Sequence, residues 1–145
     1  MATLAQAFRT RTIADATIGG LIDTRFYYRQ AQQTADRPYC VYRRIASERH
    51  SHLSGGATIE SVSYEVTCVA DTPDACSDLI EAIKDHWDSY AGNVTVGVDT
   101  VSILSSRIDS DLEDQETPEP GRESGLFTAT VDIDIKWRIA APVHA

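Results

Sequence analysis

Hydrophobic and polar residues alternate most regularly near the end of the chain, in the segment FTATVDIDIKWRI from Phe127 to Ile139. Successive side chains of a β-strand point to opposite faces, so this alternation predicts one long strand with an apolar face and a polar face. The apolar positions are Phe127, Ala129, Val131, Ile133, Ile135, Trp137 and Ile139. At roughly 3.3 Å per residue the strand would span about 43 Å, more than a typical strand. Such length indicates that the protein is part of a larger assembly.

Two helices are predicted from apolar residues at helical spacing. The clearer one begins at Thr72 and Pro73, which suit the N-cap and the first helical position. Its apolar stripe, interpreted as core packing, consists of Cys76, Leu79, Ile80, Ile83, Trp87 and Tyr90. Gly92 is the expected stop. An earlier helix is predicted from about Thr3 to Ala16, with Gly19-Gly20 following it.

The remaining apolar segments have the composition of strands. A short strand is expected from Arg25 to Gln30. Residues 38–47 and 58–70 are expected to pair as an antiparallel hairpin around the polar, Gly-rich segment 48–57. In residues 94–108 the apolar positions shift from even to odd numbers at Asp99-Thr100, which predicts a bulge or a turn between two shorter strands.

This order of elements predicts an α+β fold, in which an antiparallel (mixed) β-sheet has two main helices packed on one face and ends in a long C-terminal strand. The 145 residues are enough for a single domain with a core, from residue 1 to residue 145. Residues from about 140 to 145 are expected to form a C-terminal tail, and residues 109–125 an acidic loop.

The formal net charge is −9, and it is unevenly distributed. Residues 1–50 carry eight arginines against four acids, a net of +4, and residues 51–145 carry five basic groups against 18 acids, a net of −13. A nucleic-acid binder needs a basic surface, so this balance argues against that class. It is compatible with a surface that DNA passes without being bound. The opposite signs would also allow copies to associate head to tail.

The acidic loop, DSDLEDQETPEPGRESG, carries seven carboxylates against one arginine. Clustered oxygen ligands suit calcium, but the spacing does not match an EF-hand, and Pro118 and Pro120 favour an extended segment. Two interpretations remain open for this loop. It is either a solvated segment whose charges repel one another or a contact surface for a basic partner.

The sequence contains no nucleotide-binding, serine-hydrolase or zinc-protease motif. Cys40, Cys68 and Cys76 are odd in number and lack a short CxxC spacing, so they are interpreted as core thiols. His50 and His52 form an HxH pair, but no further ligand stands at a fixed spacing. We therefore expect no catalytic residue, no cofactor and no metal. The segments lack the apolar length of a transmembrane helix or a signal peptide, so assembly in a cytoplasm is expected.

The order of these segments resembles the tail completion or tail terminator proteins of long-tailed bacteriophages. The resemblance runs from LAQAF at Leu4 to IKWRI at Ile139, through LIDTRFYYRQ, RPYCVYRRIASERHSHLSGG, SVSYEVTCVA and DACSDLIEAIKDHWDSY. It ends with the acidic loop, a GLF entry and the alternating strand with its aromatic-basic pair, Trp137-Arg138. The loop departs from the family pattern, because it is longer and richer in proline.

The resemblance implies a structural virion protein at the head-tail junction, with no catalytic residues to transfer. Such a protein forms a homo-oligomeric ring, commonly a hexamer, that caps the tail tube and ends tube polymerisation. Its implied partners are further copies of itself, the tail tube protein and the head-completion or connector protein, and it has no membrane partner. DNA would pass through the ring without specific binding.

Candidate residues for the interface or the ring lumen are Asp109, Asp111, Glu113, Asp114, Glu116, Glu119, Asp132 and Asp134. Two alternatives are kept. One is a head-completion, stopper or other neck protein of the same phage. The other is a small metal-dependent enzyme that uses the acidic loop or the HxH pair.

Overall fold

The computed structural model describes residues 3–30, 36–50, 58–116 and 126–139. In chain order the elements are α1 (Leu4–Ala14), α2 (Ala16–Ile22), β1 (Phe26–Tyr28), β2 (Tyr39–His50), β3 (Thr58–Ala70), α3 (Pro73–Trp87), β4 (Gly92–Val96), β5 (Asp99–Glu116) and β6 (Leu126–Ile139). The six strands form one sheet in the order β1-β2-β3-β6-β5-β4. Only the pairing of β1 with β2 is parallel among these strands, and the others are antiparallel. The predicted α+β class with a mixed sheet is confirmed.

The long last strand is confirmed as β6, which pairs with β3 on one side and with β5 on the other. Its apolar face lies against the helices, as the alternation predicts. Ala129, Val131, Ile133 and Ile135 are buried there, while Phe127 and Trp137 pack at the margins of the core. The sheet therefore has a helix face, covered by the three helices, and an outer face turned away from them.

Helix α3 begins as predicted, because the side chain of Thr72 accepts a hydrogen bond from the Ala75 amide and Pro73 occupies the first turn. Its stripe is buried from Cys76 to Trp87. The predicted stop is wrong by several residues. The helix ends at Trp87, Asp88 caps it in an extended conformation, and Gly92 instead begins β4.

The single first helix predicted from Thr3 to Ala16 is divided into two. Asp15 has an extended backbone that ends α1, and its carboxylate accepts a hydrogen bond from the Ile18 amide at 3.0 Å, which caps α2. Gly19 and Gly20 lie inside α2 rather than after a helix. The division lets α2 bury Ile18 and Ile22, which a straight continuation of α1 would place elsewhere.

The predicted hairpin of β2 and β3 is confirmed, with Tyr39 opposite Val69 and His50 opposite Ile59. Strand β2 runs three residues further than the segment predicted for it, and an irregularity between Arg44 and Ala46 shifts the pairing. The predicted break near Asp99 is a turn between β4 and β5, where Gly97 adopts a φ of 62°.

The prediction of an acidic loop over residues 109–125 is wrong for residues 109–116. Strand β5 continues to Glu116 and pairs with β6 as far as Leu126. Backbone hydrogen bonding to β6 is available whatever the side chains are, so a run of carboxylates does not end the strand. Residues 117–125, the rest of the predicted loop, and residues 140–145, the predicted tail, lie outside the described residues. In the described part of the chain, no helix has the length and apolar character needed to cross a membrane.

Candidate interaction surfaces

The outer face of the sheet carries polar residues that pair across strands. Asp134 on β6 is the centre of this arrangement, because it accepts a hydrogen bond from Ser63 Oγ at 2.5 Å and lies 3.4 Å from the Arg107 guanidinium. Thr67 and Thr130 join their hydroxyls at 3.2 Å on the same face. The Arg107 side chain is 74% exposed, so its ion pair with Asp134 contributes little to stability. The outer face is thus a hydrogen-bonded polar surface rather than a row of free carboxylates.

The structure places the predicted carboxylates in two groups. Asp132 and Asp134 lie half-buried on the outer face of β6, as the alternation predicts. Asp109 is exposed on β5, and the remaining described acids belong to the same strand: Asp111, Glu113, Asp114 and Glu116 lie in register with Val131, Ala129, Thr128 and Leu126. Glu119 lies outside the described residues. The described acids are therefore carried by the adjacent strands β5 and β6.

A pocket of about 410 Å³ opens between β3, β6 and β5. Its polar lining is rich in serine and contains charges of both signs, from Ser61, Ser63, Ser105, Arg107, Asp134 and Lys136. The serine hydroxyls, one acid and two bases form a polar groove with a net charge of +1.

A second pocket, of about 420 Å³, lies on the helix face between the start of α1 and the ends of β2, β3 and β6. Glu60 is buried at its wall and is only 6% exposed. Its carboxylate accepts hydrogen bonds from Trp137 Nε1 at 2.8 Å and from Arg49 Nε at 3.2 Å. Tyr28 and Arg44 complete the rim. Sequence reasoning missed Glu60, although it stands two residues before Val62 on the apolar face of β3 and so breaks the alternation.

The two sides of the sheet leave long strand edges that no described strand covers. Strand β1 pairs only with Cys40 to Tyr42 of β2, which leaves the outer edge of residues 43–50. Strand β4 pairs only with Asp99 to Ile103 of β5. The Ser106 carbonyl accepts a hydrogen bond from the Ser89 amide, and residues 107–116 continue beyond it. The registers place these two edges at diagonally opposite corners of the sheet.

The titratable groups of the interior are held in structural contacts. His86 Nε2 donates to the Arg11 carbonyl at 2.9 Å, and the Arg11 guanidinium lies over the Tyr90 ring at 3.5 Å. Burial, followed by the Arg11 charge, lowers the pKa of His86. Burial also raises the pKa of the Cys68 thiol, which lies 3.1 Å from the sulfur of Cys40. These contacts join α1 to α3 and β2 to β3.

The metal hypothesis concerns His50, His52 and the acidic segment. Among the residues that the structure describes, no three His, Cys, Asp or Glu side chains come together to hold a metal ion. His52 and Glu119 lie outside those residues, and the side chain of His50 is not described.

Both the sequence and the fold are similar to those of known proteins. The family model described as "Tail completion protein gp17" matches residues 6–136. A chain from the structure "Virion of native gene transfer agent (GTA) particle" superposes with a TM-score of 0.63 at 9% sequence identity, and the match covers 92% of this chain and 94% of that chain. No curated protein matches the chain. Because the family model spans most of the sequence, this protein belongs to the tail completion protein gp17 family and is a structural component of a virion tail.

Proposed function

We propose that this protein is the tail terminator, which forms a ring on the finished tail tube, ends tube polymerisation and joins the tail to the head connector. The observation that carries the proposal is the family match over residues 6–136. The fold shared with a chain of a gene transfer agent virion supports assembly with other virion proteins. Its partners are other copies of itself, the tail tube protein and the connector protein.

The charge of the chain suits a channel for DNA. A net charge of −9 disfavours the binding of phosphate groups to the protein as a whole. Asp109 is exposed on β5, while Asp132 and Asp134 lie half-buried on β6. A ring with these carboxylates at its lumen would repel DNA, and the Arg107 guanidinium beside Asp134 would offset part of that negative charge.

The test uses purified protein and tubes assembled from the tail tube protein of the same particle. Native mass spectrometry and negative-stain imaging are expected to show rings, in solution or at tube ends. Tubes exposed to the protein are expected to stop growing when fresh tube protein is added. Tubes that grow equally well with and without the protein would overturn the proposal.

The position in the neck is tested by pull-down with tail tube protein against pull-down with connector protein. A terminator binds the tube ends directly. Binding to the connector alone, with no retention on tubes, would assign the protein to a head-completion or stopper position instead. Protein that stays strictly monomeric at high concentration, even beside tubes, contradicts both assignments.

A further inference from the structure

We propose that the outer edge of β2 in one copy pairs with the outer edge of β5 in the next copy, so that the sheets of neighbouring subunits join. The two edges are residues 43–50 of β2 and residues 107–116 of β5, hereafter the basic edge and the acidic edge. The inference rests on the proposed ring, and it names the surfaces through which the ring is built.

The backbone supplies the first argument. A strand at the side of a sheet has unpaired N–H and C=O groups, which form a template for a strand from another chain. On its outer side, neither the basic edge nor the acidic edge pairs with a described strand, and the two are similar in length. Shorter edge strands, β1 and β4, cover only the other end of each side.

Strand direction supplies the second argument. Each of the pairings from β2 through β3 and β6 to β5 is antiparallel, so β2 and β5 run in opposite directions within one chain. A neighbour in the same orientation, displaced along the strands so that the two corners meet, therefore presents its acidic edge antiparallel to the basic edge of the first copy. Antiparallel pairing gives hydrogen bonds perpendicular to the strands and tolerates a short edge contact.

Charge supplies the third argument. The basic edge, RRIASERH, has three arginines and one glutamate, a net of +2. The acidic edge, RIDSDLEDQE, has one arginine and five acids, a net of −4. Arg43 and Arg49 form ion pairs within the chain, but their side chains remain 60% and 69% exposed. Opposite edges attract, whereas two basic or two acidic edges repel.

The two edges lie on opposite sides of the sheet, so one copy uses both at once. A contact between two different surfaces is heterologous, and its repetition around a closed rotation gives a ring. Like-charge repulsion between identical edges disfavours the competing two-fold dimer. The acidic segment of the sequence thereby acquires a partner, the arginine-bearing strand of a second copy.

The test exchanges charges between the edges. The first variant, Arg44→Glu with Ser47→Glu, makes the basic edge acidic. The second, Asp109→Lys with Asp111→Lys and Glu113→Lys, makes the acidic edge basic. A third variant combines all five substitutions. The control, Asp78→Lys with Glu81→Lys and Asp85→Lys, makes the same charge change as the second variant on exposed positions of α3.

The readouts are native mass spectrometry, sedimentation velocity and the occupancy of tube ends, with circular dichroism to confirm folding. In the first variant and in the second, the dissociation constant between subunits is expected to rise by at least about tenfold, since like charges then face each other. An equimolar mixture of the two restores opposite charges at every joint and is expected to assemble. The combined variant and the control are expected to assemble like the unmodified protein.

Folded first and second variants that assemble normally overturn the edge pairing, and so does a mixture that stays dissociated. Either result leaves the proposed function intact if the rings still cap tubes. Conversely, rings that show the charge-exchange behaviour but do not bind tubes contradict the terminator function alone. Unmodified protein that never associates, alone or on tubes, overturns both the edge pairing and the terminator function.

Discussion

The buried carboxylate of Glu60 accepts a hydrogen bond from the indole nitrogen of Trp137 at 2.8 Å, across the pairing of β3 with β6. A hydrogen bond to a charged group contributes more than a neutral one. Replacing Trp137 by Phe keeps the aromatic ring and removes the donor. We expect this change to lower the free energy of unfolding by about 1.5–3 kcal/mol, measured by urea denaturation.

The other partner of Glu60 provides the control. Arg49 also contacts the carboxylate, but its side chain is 69% exposed, so water replaces it readily. Arg49→Gln is therefore expected to cost less than about 1 kcal/mol. Equal losses from the two substitutions would contradict the assignment of the indole as the principal donor.

Gly19 and Gly20 are adjacent in α2 but have different surroundings. A Cβ atom at Gly19 would lie 2.8 Å from the Ile13 carbonyl oxygen, whereas one at Gly20 would meet no atom within 4 Å. Gly19→Ala is expected to destabilise the protein by about 1–3 kcal/mol, because backbone must move to accept it. Gly20→Ala is expected to stabilise it by about 0.5–1 kcal/mol, because alanine loses less entropy in a helix.

Thermal unfolding of the two variants is the measurement, and each serves as the control for the other. A gain in stability from both substitutions would show that α1 and α2 approach less closely than the structure has them.

This glycine pair also shows where sequence reasoning ends. Two consecutive glycines indicate a helix stop, and nothing in the local pattern reveals that Gly19 serves a close approach of α2 to the end of α1. By contrast, the alternation in β6 and the Thr72-Pro73 start of α3 are local signals, and the structure confirms both.

The extent of β5 could not be predicted for a related reason. Its carboxylates remove the alternation that identifies a strand, and the backbone partner that sustains the strand, β6, is distant in the sequence. Glu60 is similar, since its burial depends on Trp137 and Arg49 from two other strands. Tertiary partners, not local propensity, decide these positions.

Thr12 links two helices inside the core. Its hydroxyl donates to the Phe8 carbonyl at 2.6 Å and accepts from the Trp87 indole nitrogen at 2.9 Å. Thr12→Val preserves the shape but leaves the buried indole N–H without its acceptor. We expect a loss of about 1–3 kcal/mol in denaturant unfolding.

The matched control is Thr17→Val, because Thr17 is exposed on α2. It makes the same chemical change without a buried partner and is expected to alter stability by less than about 0.5 kcal/mol. A Thr12→Val protein as stable as this control would mean that the indole finds another acceptor.

His86 is expected to make stability depend on pH. Burial, and then the Arg11 charge, lower its pKa, while the bond to the Arg11 carbonyl and the Asp15 carboxylate 3.4 Å away raise it and only partly compensate. The unfolded chain therefore binds a proton more readily than the folded chain. The contribution of neutral His86 to the free energy of unfolding is therefore fully present above the ordinary histidine pKa of about 6.5. It declines as the pH falls through that value.

Melting temperatures between pH 7.5 and pH 5.5, roughly the range in which histidine titrates, measure this effect. The melting temperature is expected to fall towards the acidic end. His86→Gln, which keeps a donor for the Arg11 carbonyl but does not titrate, is expected to flatten the profile whatever its own stability. An unchanged slope in this variant would assign the pH dependence to other groups.

The antiparallel registers also give a joined assembly a direction. Thr58 lies opposite Ile139 at one end of β6, and Glu116 lies opposite Leu126 at the other end. The connection between β2 and β3 therefore leaves from one rim of the subunit, and the connection between β5 and β6 leaves from the opposite rim. The first carries no charged residue between positions 51 and 57, whereas the second, at positions 117–125, carries Glu119, Arg122 and Glu123. Copies placed side by side in one orientation would bring the facing ends of β2 and β3 to one rim and the facing ends of β5 and β6 to the other. Turned upside down, such an assembly would present a different surface to each neighbour, as a joint between two unlike structures requires.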